Sequence, residues 1–438
     1  MAMVVKNNMS AKNTLNQLDK NDKASAKSLK KLASGMKINS AGDDASGLSI
    51  SERMATQIRS LDQDNSNTQN ASSLMKVASG AVDSTVNTLK TLKEKVINAA
   101  NDTNTDDDRK TIQKELDQAV DQLDDNAQVT FNGQTLLDGL HNNKVLDPGT
   151  RTALVNTQLS VDTTEDTLLT ELQNREGISL GIQPSDTITV SYVKQGKTYT
   201  GNFHAGATAF SDIFTNPGFG AGDIELRRPT NSSNIGTDQY GNAVLTADGE
   251  NAVTFQASET GLDGQIAGVT ITVTDNKGNP RTSANASLNN FTEQIQAQNT
   301  SEDNAFVFQT GTKSNQSVKL GLTDMRATAL GLRATDGSTI NISTQLYANV
   351  AINVMDNALQ KALNQQTTLG SVMSRMETTS ANITTSSENT QSAESVIRDA
   401  NMATEMTDYT KNNVLQQAAQ SMLAQANQNS SSVLSLLK

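Results

Sequence analysis

Residues 352–383 read INVMDNALQKALNQQTTLGSVMSRMETTSANI. Within them Ile352, Met355, Leu359, Ala362, Gln366, Leu369, Met373, Met376, Ser380 and Ile383 follow one another by three and four residues in turn. A seam repeating every seven residues makes helices pack side by side over many turns. Toward the other end Met75, Ala78, Val82, Thr85, Leu89, Leu92, Val96 and Ala99 keep the same alternation. Two such seams, far apart in the chain, imply ends that pair around a looped-out middle. That organisation suits a structural or assembling chain.

Outward from the seams, the spacing predicts helix from near Ala45 to about Asn101, ~80 Å long if continuous. Asp43 or Asp44 is placed to cap its start. After a polar turn, Thr105 with Asp108 three residues on forms a capping box, and Asp106, Asp107 and Asp108 suit a helix N-terminus better than a cation site. Ile112, Leu116, Ala119, Leu123 and Ala127 give a shorter amphipathic helix that ends at Phe131-Asn132-Gly133. Leu15, Leu18, Leu29, Leu32 and Met36 keep helical spacing near the start, interrupted by Asp22 and Ser25. The last helix carries Leu415, Ala419, Met422, Ala426, Val433 and Leu437 on one stripe and ends on apolar Val433, Leu434, Leu436 and Leu437. Free chain ends are usually polar and frayed, so an apolar end needs a partner.

The composition changes near residue 140. All five prolines and most aromatics lie in the middle. Thr187 to Val193 and Val269 to Thr274 alternate as strands, with turns at Gln195-Gly196 and at Asp275 to Pro280. Short helices are expected near Glu165 to Leu172 and Ala209 to Phe214, and a hairpin at Phe306 to Phe308 with Ser317 to Leu320. The fold expected is mainly α: a long antiparallel helical rod or coiled coil made by both termini, with an inserted strand-rich α/β region.

Bulk properties exclude several functions. The 438 residues are 35% apolar and 3% aromatic, low for one thick core but adequate for narrow helical seams. A net charge of −12 argues against a nucleic-acid binder. With no cysteine there is no disulfide, thiolate site or cysteine nucleophile. His141 and His204 are isolated in polar segments, and no HExxH or P-loop occurs, so no enzyme, metal or cofactor is expected. The start lacks the ~7–15 apolar residues of a secretory signal, and no stretch reaches the ~20 of a membrane span. Such a chain is expected to be cytoplasmic or to leave the cell by a route that reads something else. Asn-x-Ser/Thr sites at Asn231 and Asn285 are read as chance, while Ser and Thr of the middle are candidate O-glycan acceptors.

The stretch Leu32 to Gly47, LASGMKINSAGDDASG, resembles the LSSGxRINSAxDDAAG signature of bacterial flagellins, with Gly35, Asn39, Ser40, Asp43, Asp44 and Gly47 in place. Val414 to Ala418, Met422 to Gln428 and Val433 to Lys438 are similar to the flagellin ending, as are Gln128 to Gly133 and Leu346 to Met376. The resemblance implies the subunit of the flagellar filament, the propeller for swimming; the alternative is the related hook–filament junction protein. It implies inner-tube terminal helices at 1–44 and 398–438, a helical rod with a hairpin at 45–160 and 304–397, and a variable outer region at 161–303. It also implies a helical homopolymer outside the cell, type III export without a cleaved signal peptide, an export chaperone on the C-terminal helix, and contacts with cap and hook-junction proteins. Leu15, Leu18, Leu29, Leu32, Leu415, Met422, Val433, Leu434, Leu436 and Leu437 are then the subunit-packing candidates.

A narrow stripe on a helix of about 40 residues cannot be buried alone, so the termini are expected to order on assembly. Leu89 to Asn101 is similar to the LQRxRELAxxxAN segment that the vertebrate Toll-like flagellin receptor reads, with Glu94 and Glu115 matching. Thr91 replaces an arginine and Lys95 a leucine, which implies weak recognition. The candidate surface is Leu89, Thr91, Glu94, Lys95 and Glu115.

Overall fold

The computed structural model describes residues 8–214, 223–227, 233–246 and 248–436. In chain order it runs α1 (Met9–Ser34), α2 (Ala45–Ala100), α3 (Asp106–Ala127), β1 (Thr130–Phe131), β2 (Gln134–Thr135), β3 (Ala153–Asn156), β4 (Thr187–Lys194) and β5 (Lys197–His204). There follow β6 (Ile224–Arg227), β7 (Asn234–Thr237), β8 (Ala243–Leu245), β9 (Val253–Ala257), β10 (Ile266–Thr274), α4 (Thr282–Leu288) and β11 (Phe291–Ile295). The chain closes with β12 (Phe306–Gln309), β13 (Ser317–Leu320), α5 (Gln345–Arg398) and α6 (Met402–Leu436). Long terminal helices around a strand-rich middle are the architecture expected of the sequence.

Two compact units result. The terminal unit takes residues 1–68, 309–316 and 378–438; the central unit takes 69–308 and 317–377. The division falls inside α2 and α5 rather than at the boundaries 44/45 and 397/398 expected from the sequence. The reason is that α1 and α6 share a unit with the adjoining ends of α2 and α5.

In the central unit the α2 seam is buried throughout and the α5 seam at every second position, the others being half-buried. Met75, Ala78, Val82, Thr85, Leu89 and Val96 of α2 and Met355, Ala362, Leu369 and Met376 of α5 lose all solvent exposure, with Leu116, Val120 and Leu123 of α3 beside them. Each such Leu, Val or Met contributes ~1.5–3 kcal/mol by burial. The α2–α3 corner is closed by polar chemistry. Thr105 and Asp108 make the expected capping box. Arg109, itself buried, donates to the Ala99 and Asn101 carbonyls (2.8 and 3.0 Å) and so caps the end of α2.

The inserted region holds a three-stranded sheet, order β10-β4-β5, and a four-stranded one, order β11-β3-β9-β6. β4 and β5 form the expected hairpin, with Gln195 and Gly196 at positive φ in its turn. β3 corrects the expected boundary at 161. It pairs with β9 and β11, so the insert begins by Ala153, and backbone bridges between Val145 and Ser301 and between Thr150 and Gln298 mark its neck. The helix expected at 165–172 is also corrected. It is only a 3-10 turn at Leu169–Glu171, because the Glu165 and Thr167 carbonyls accept from Ser211 and Phe210 and Leu168 bridges to Ala209.

One stripe of α5 carries the insert. Asn353 donates to the Val269 carbonyl (3.1 Å) and Asn357 to the Ala267 carbonyl (2.8 Å). Gly268 lets β10 approach this closely, since a Cβ there would lie 3.1 Å from Val354 Cγ2 and 3.2 Å from its backbone nitrogen.

Candidate functional site

α1 and α6 run antiparallel within the terminal unit. Asn8 Nδ2 donates to the Ala426 carbonyl (3.2 Å), Ser25 Oγ to Asn413 Oδ1 (3.0 Å), and Lys31 Nζ pairs with Glu405 (2.7 Å). The shared face is polar. Asn21 and Ser28 are the buried residues of α1, and Ala419 and Ala426, one heptad apart, are those of α6. Of the buried positions of α2 in this unit, Ser51, Asp64 and Thr68 are polar and Leu61 is apolar, and burial holds the Asp64 carboxyl above the usual carboxylate range. Of the two interruptions of the α1 stripe, Ser25 lies on the polar seam and Asp22 is exposed.

Leu18 and Leu32 flank the polar positions of that seam, and other large apolar side chains lie outside it. Leu15 is 54% exposed and Met422 62%, and Leu29 and Leu415 are exposed as well, while Leu18 and Leu32 are half-buried. Leu15 and Leu29 are fourteen residues apart, two heptads, and so fall on one side of α1. The stripe expected on α6 is split: its alanines face α1, and Leu415 and Met422 face outward. Leu437 and the side chains of Val433, Leu434 and Leu436 lie outside the described residues.

The glycine-rich segment between α1 and α2 is a capping device. Gly35 takes the left-handed conformation (φ 71°) that ends α1, its N–H donating to the Lys31 carbonyl (2.8 Å). Its own carbonyl accepts from Ala400 (2.9 Å), and Lys37 N–H reaches the Arg398 carbonyl (2.7 Å), tying the turn to the α5–α6 junction. Asp43 gathers Lys27 (2.9 Å) and the Asn39 and Ser40 amides (3.2 Å each). The Lys27 ammonium, then the Asn39 amide, bring its carboxyl down to about 2. Asp44 is the N-cap of α2, accepting from the Gly47 (2.9 Å) and Ser46 (3.1 Å) amides, which lowers its carboxyl. At Gly47 a Cβ would strike Asp44 Oδ2 at 2.4 Å and buried Ile38 at 2.7 Å. Each signature residue therefore has a local structural reason.

On α2, Thr91 and Glu94 are exposed, Thr91 Oγ1 donating to the Asn87 carbonyl (3.1 Å), and Lys95 pairs with Glu115 of α3 (2.8 Å). Leu89 is corrected as a surface candidate. It is 0% exposed within the α2–α3–α5 core, so a reader of this face cannot touch it. Both histidines are locally bonded: His141 stacks on Phe306 with ring centroids 4.1 Å apart, and His204 faces the Thr187 hydroxyl at 3.5 Å. Among the described residues no group of three His, Cys, Asp or Glu could hold a metal, and no helix is long and apolar enough to cross a membrane.

Sequence reasoning missed Asn21, Ser25, Ser28, Lys31, Glu405 and Asn413. Their signal was available, since Asn21, Ser25, Ser28 and Leu32 step by four, three and four. Polar residues at that spacing carry no hydrophobic drive, so the pattern does not by itself mark a packed face.

The structure thus defines a chain whose paired terminal helices leave large apolar side chains exposed. Residues 5–142 match the bacterial flagellin N-terminal helical region and residues 352–437 the bacterial flagellin C-terminal helical region. A flagellin of Clostridium tyrobutyricum is 34% identical over 97% of this chain and 99% of its own. A flagellin of Bacillus subtilis (strain 168) is 30% identical over the full length of both. The flagellar filament 33 kDa core protein of Treponema phagedenis is 28% identical, again over both full lengths. The chain belongs to the bacterial flagellin family.

Proposed function

We propose that this chain is the structural subunit of a bacterial flagellar filament and not an enzyme, polymerising through its terminal helices into an extracellular propeller. The observation that carries the reading is the inversion of α1 and α6: a polar mutual face, with Leu15, Leu29, Leu415 and Met422 directed outward. A polar seam fixes register but contributes little net stability, because hydrogen bonds and half-buried ion pairs are largely offset by desolvation. Burial of the outward side chains, at ~1.5–3 kcal/mol each, comes only from neighbouring copies. Contacts of this head-to-tail kind between identical subunits give an open helical fibre. The ordering entropy of the termini is met at that step.

In this reading residues 1–44 and 398–438 line the inner tube and residues near 145–300 project outward. A chain that crosses the export channel unfolded needs its termini uncommitted, and the apolar side of α6 is where an export chaperone covers it. Cap and hook-junction proteins meet the same outward faces at the fibre's ends. Electron microscopy of the purified protein under salting-out conditions is the test. Long helical fibres are expected; a protein that stays monomeric or closes into small rings contradicts the reading.

A further inference from the structure

α1 sorts its charges by side. Its lysines, Lys12, Lys20, Lys23, Lys27, Lys30 and Lys31, fall within ~100° of helical arc and ~30 Å of axis. Asn21 and Ser28, the buried positions of α1, fall outside that arc. Lys31 is half-buried and pairs with Glu405 (2.7 Å). Lys23 pairs with Asp19 (2.7 Å) and Lys27 with Asp43 (2.9 Å), both lysines staying exposed. Lys12, Lys20 and Lys30 are exposed and have no carboxylate partner among the described residues. The helix thus presents an open cationic stripe on the side that α6 leaves uncovered.

Charge and neighbours decide what the stripe fits. α1 is cationic in a chain of net charge −12, so an anionic surface attracts this helix and repels the rest of the chain. Exposed Leu15, Ala26, Leu29 and Ala33 run beside the lysine arc. An anionic bilayer meets both features, its headgroups taking the ammonium groups and its acyl boundary the methyl groups. Nucleic acid meets only the first, and α1 has neither arginine for base edges nor an aromatic ring for stacking. A second copy is a poorer complement. On α3, the most acidic helix, Asp106, Asp107, Asp121 and Asp124 already pair with Arg109, Lys110 and Arg333. Asp22 lies seven residues from both Leu15 and Leu29 and so breaks their row. Contact is therefore at headgroup depth, with the flexible lysine stems reaching the plane of the surface.

We propose that α1 of the single chain binds the surface of an anionic phospholipid bilayer through its lysine face. The contact is one of the unpolymerised chain and holds or fails independently of fibre formation. Flotation of the full-length monomer with vesicles of equal parts phosphatidylglycerol and phosphatidylcholine, against phosphatidylcholine alone, tests it. Binding to the anionic vesicles only is expected in ~50 mM salt, and its loss toward ~0.5 M. Lys12→Gln with Lys20→Gln and Lys30→Gln should weaken that binding by roughly a hundredfold, the worth of three lysines near an anionic surface. The same loss of charge in the central unit, Lys90→Gln with Lys144→Gln and Lys277→Gln, all exposed, should change it by less than about threefold. Asp22→Asn should strengthen it by about fivefold. Absence of binding to the anionic vesicles overturns the proposal. Equal losses in the two triple variants, or a DNA duplex bound as tightly as the vesicles, overturn it as well.

Discussion

The terminal and central units share α2 and α5 and have opposite interiors. In the central unit the seams of α2 and α5 bury methionine, leucine and valine against α3 and β10. In the terminal unit, among the described residues, only Ile38, Leu61, Ile383, Ala419 and Ala426 are buried apolar residues, and Asn21, Ser28, Ser51, Asp64 and Thr68 share the interior with them. Leu15, Leu29, Met406, Val414, Leu415 and Met422 are turned out. One unit is a finished core; the other leaves large apolar side chains uncovered. Heptad spacing alone does not separate the two, because it fixes which residues share a face and not what that face meets.

The largest effect that would break this contrast lies on the outward face. Leu15→Ser with Leu415→Ser and Met422→Ser should abolish fibres at ordinary concentrations while leaving monomer stability unchanged. Each side chain forfeits ~1.5–3 kcal/mol in the polymer, or roughly one to two decades in critical concentration. Sedimentation of fibres against protein concentration measures this, and a critical concentration within tenfold of the parent's would remove the contrast.

The central unit should respond the other way. Leu92→Ala, at a position 1% exposed, should cost ~2–5 kcal/mol in denaturant unfolding of the monomer, whereas Leu15→Ala should stay within ~0.5 kcal/mol. Equal losses for the two would mean that the units do not differ.

Acid sharpens the role of the capping loop. The Asp43 carboxyl is depressed from 3.8 to about 2, so its contribution is fully present above the unfolded value and is lost as pH falls from near 4 through about 2. Fibres of Asp43→Asn should therefore be less stable than the parent's at pH 7, and the difference should vanish near pH 2. A difference that persists at pH 2 would show that Asp43 acts through shape and not charge.

The smallest effect concerns a surface of the central unit. Thr91 stands where the receptor-read segment has an arginine, and Lys95, paired with Glu115, where it has a leucine. Weak activation in a Toll-like flagellin receptor reporter assay is expected, strengthened by Thr91→Arg with Lys95→Leu. Strong activation by the unaltered monomer would refute it.

Much of this was legible because it is local. The seams, the Thr105–Asp108 box, the Gln195-Gly196 hairpin and the Asp44 cap each lie within a few residues of sequence. The four-stranded sheet was not. β3 and β9 are buried at every position, so they lack the alternation that marks a half-exposed strand, and Leu154 meets Phe255 only through a long-range pairing. The polar stripe Asn353, Asn357 and Lys361 reads as a solvated helix face; only β10 and β11 reveal that it holds the insert. In the same way, Ser25 reads as an interruption of a stripe until Asn413 of α6 is seen opposite it.

The central claim is that α1 and α6 are held by neighbouring copies and not by each other. Amide hydrogen exchange, compared between monomer and fibre, tests it most directly, because protection reports local opening free energy. The account predicts that residues 9–34 and 402–436 exchange almost freely in the monomer and slowly in the fibre, while residues 75–99 and 350–376 are protected in both. Full protection of α1 and α6 in the monomer would contradict it.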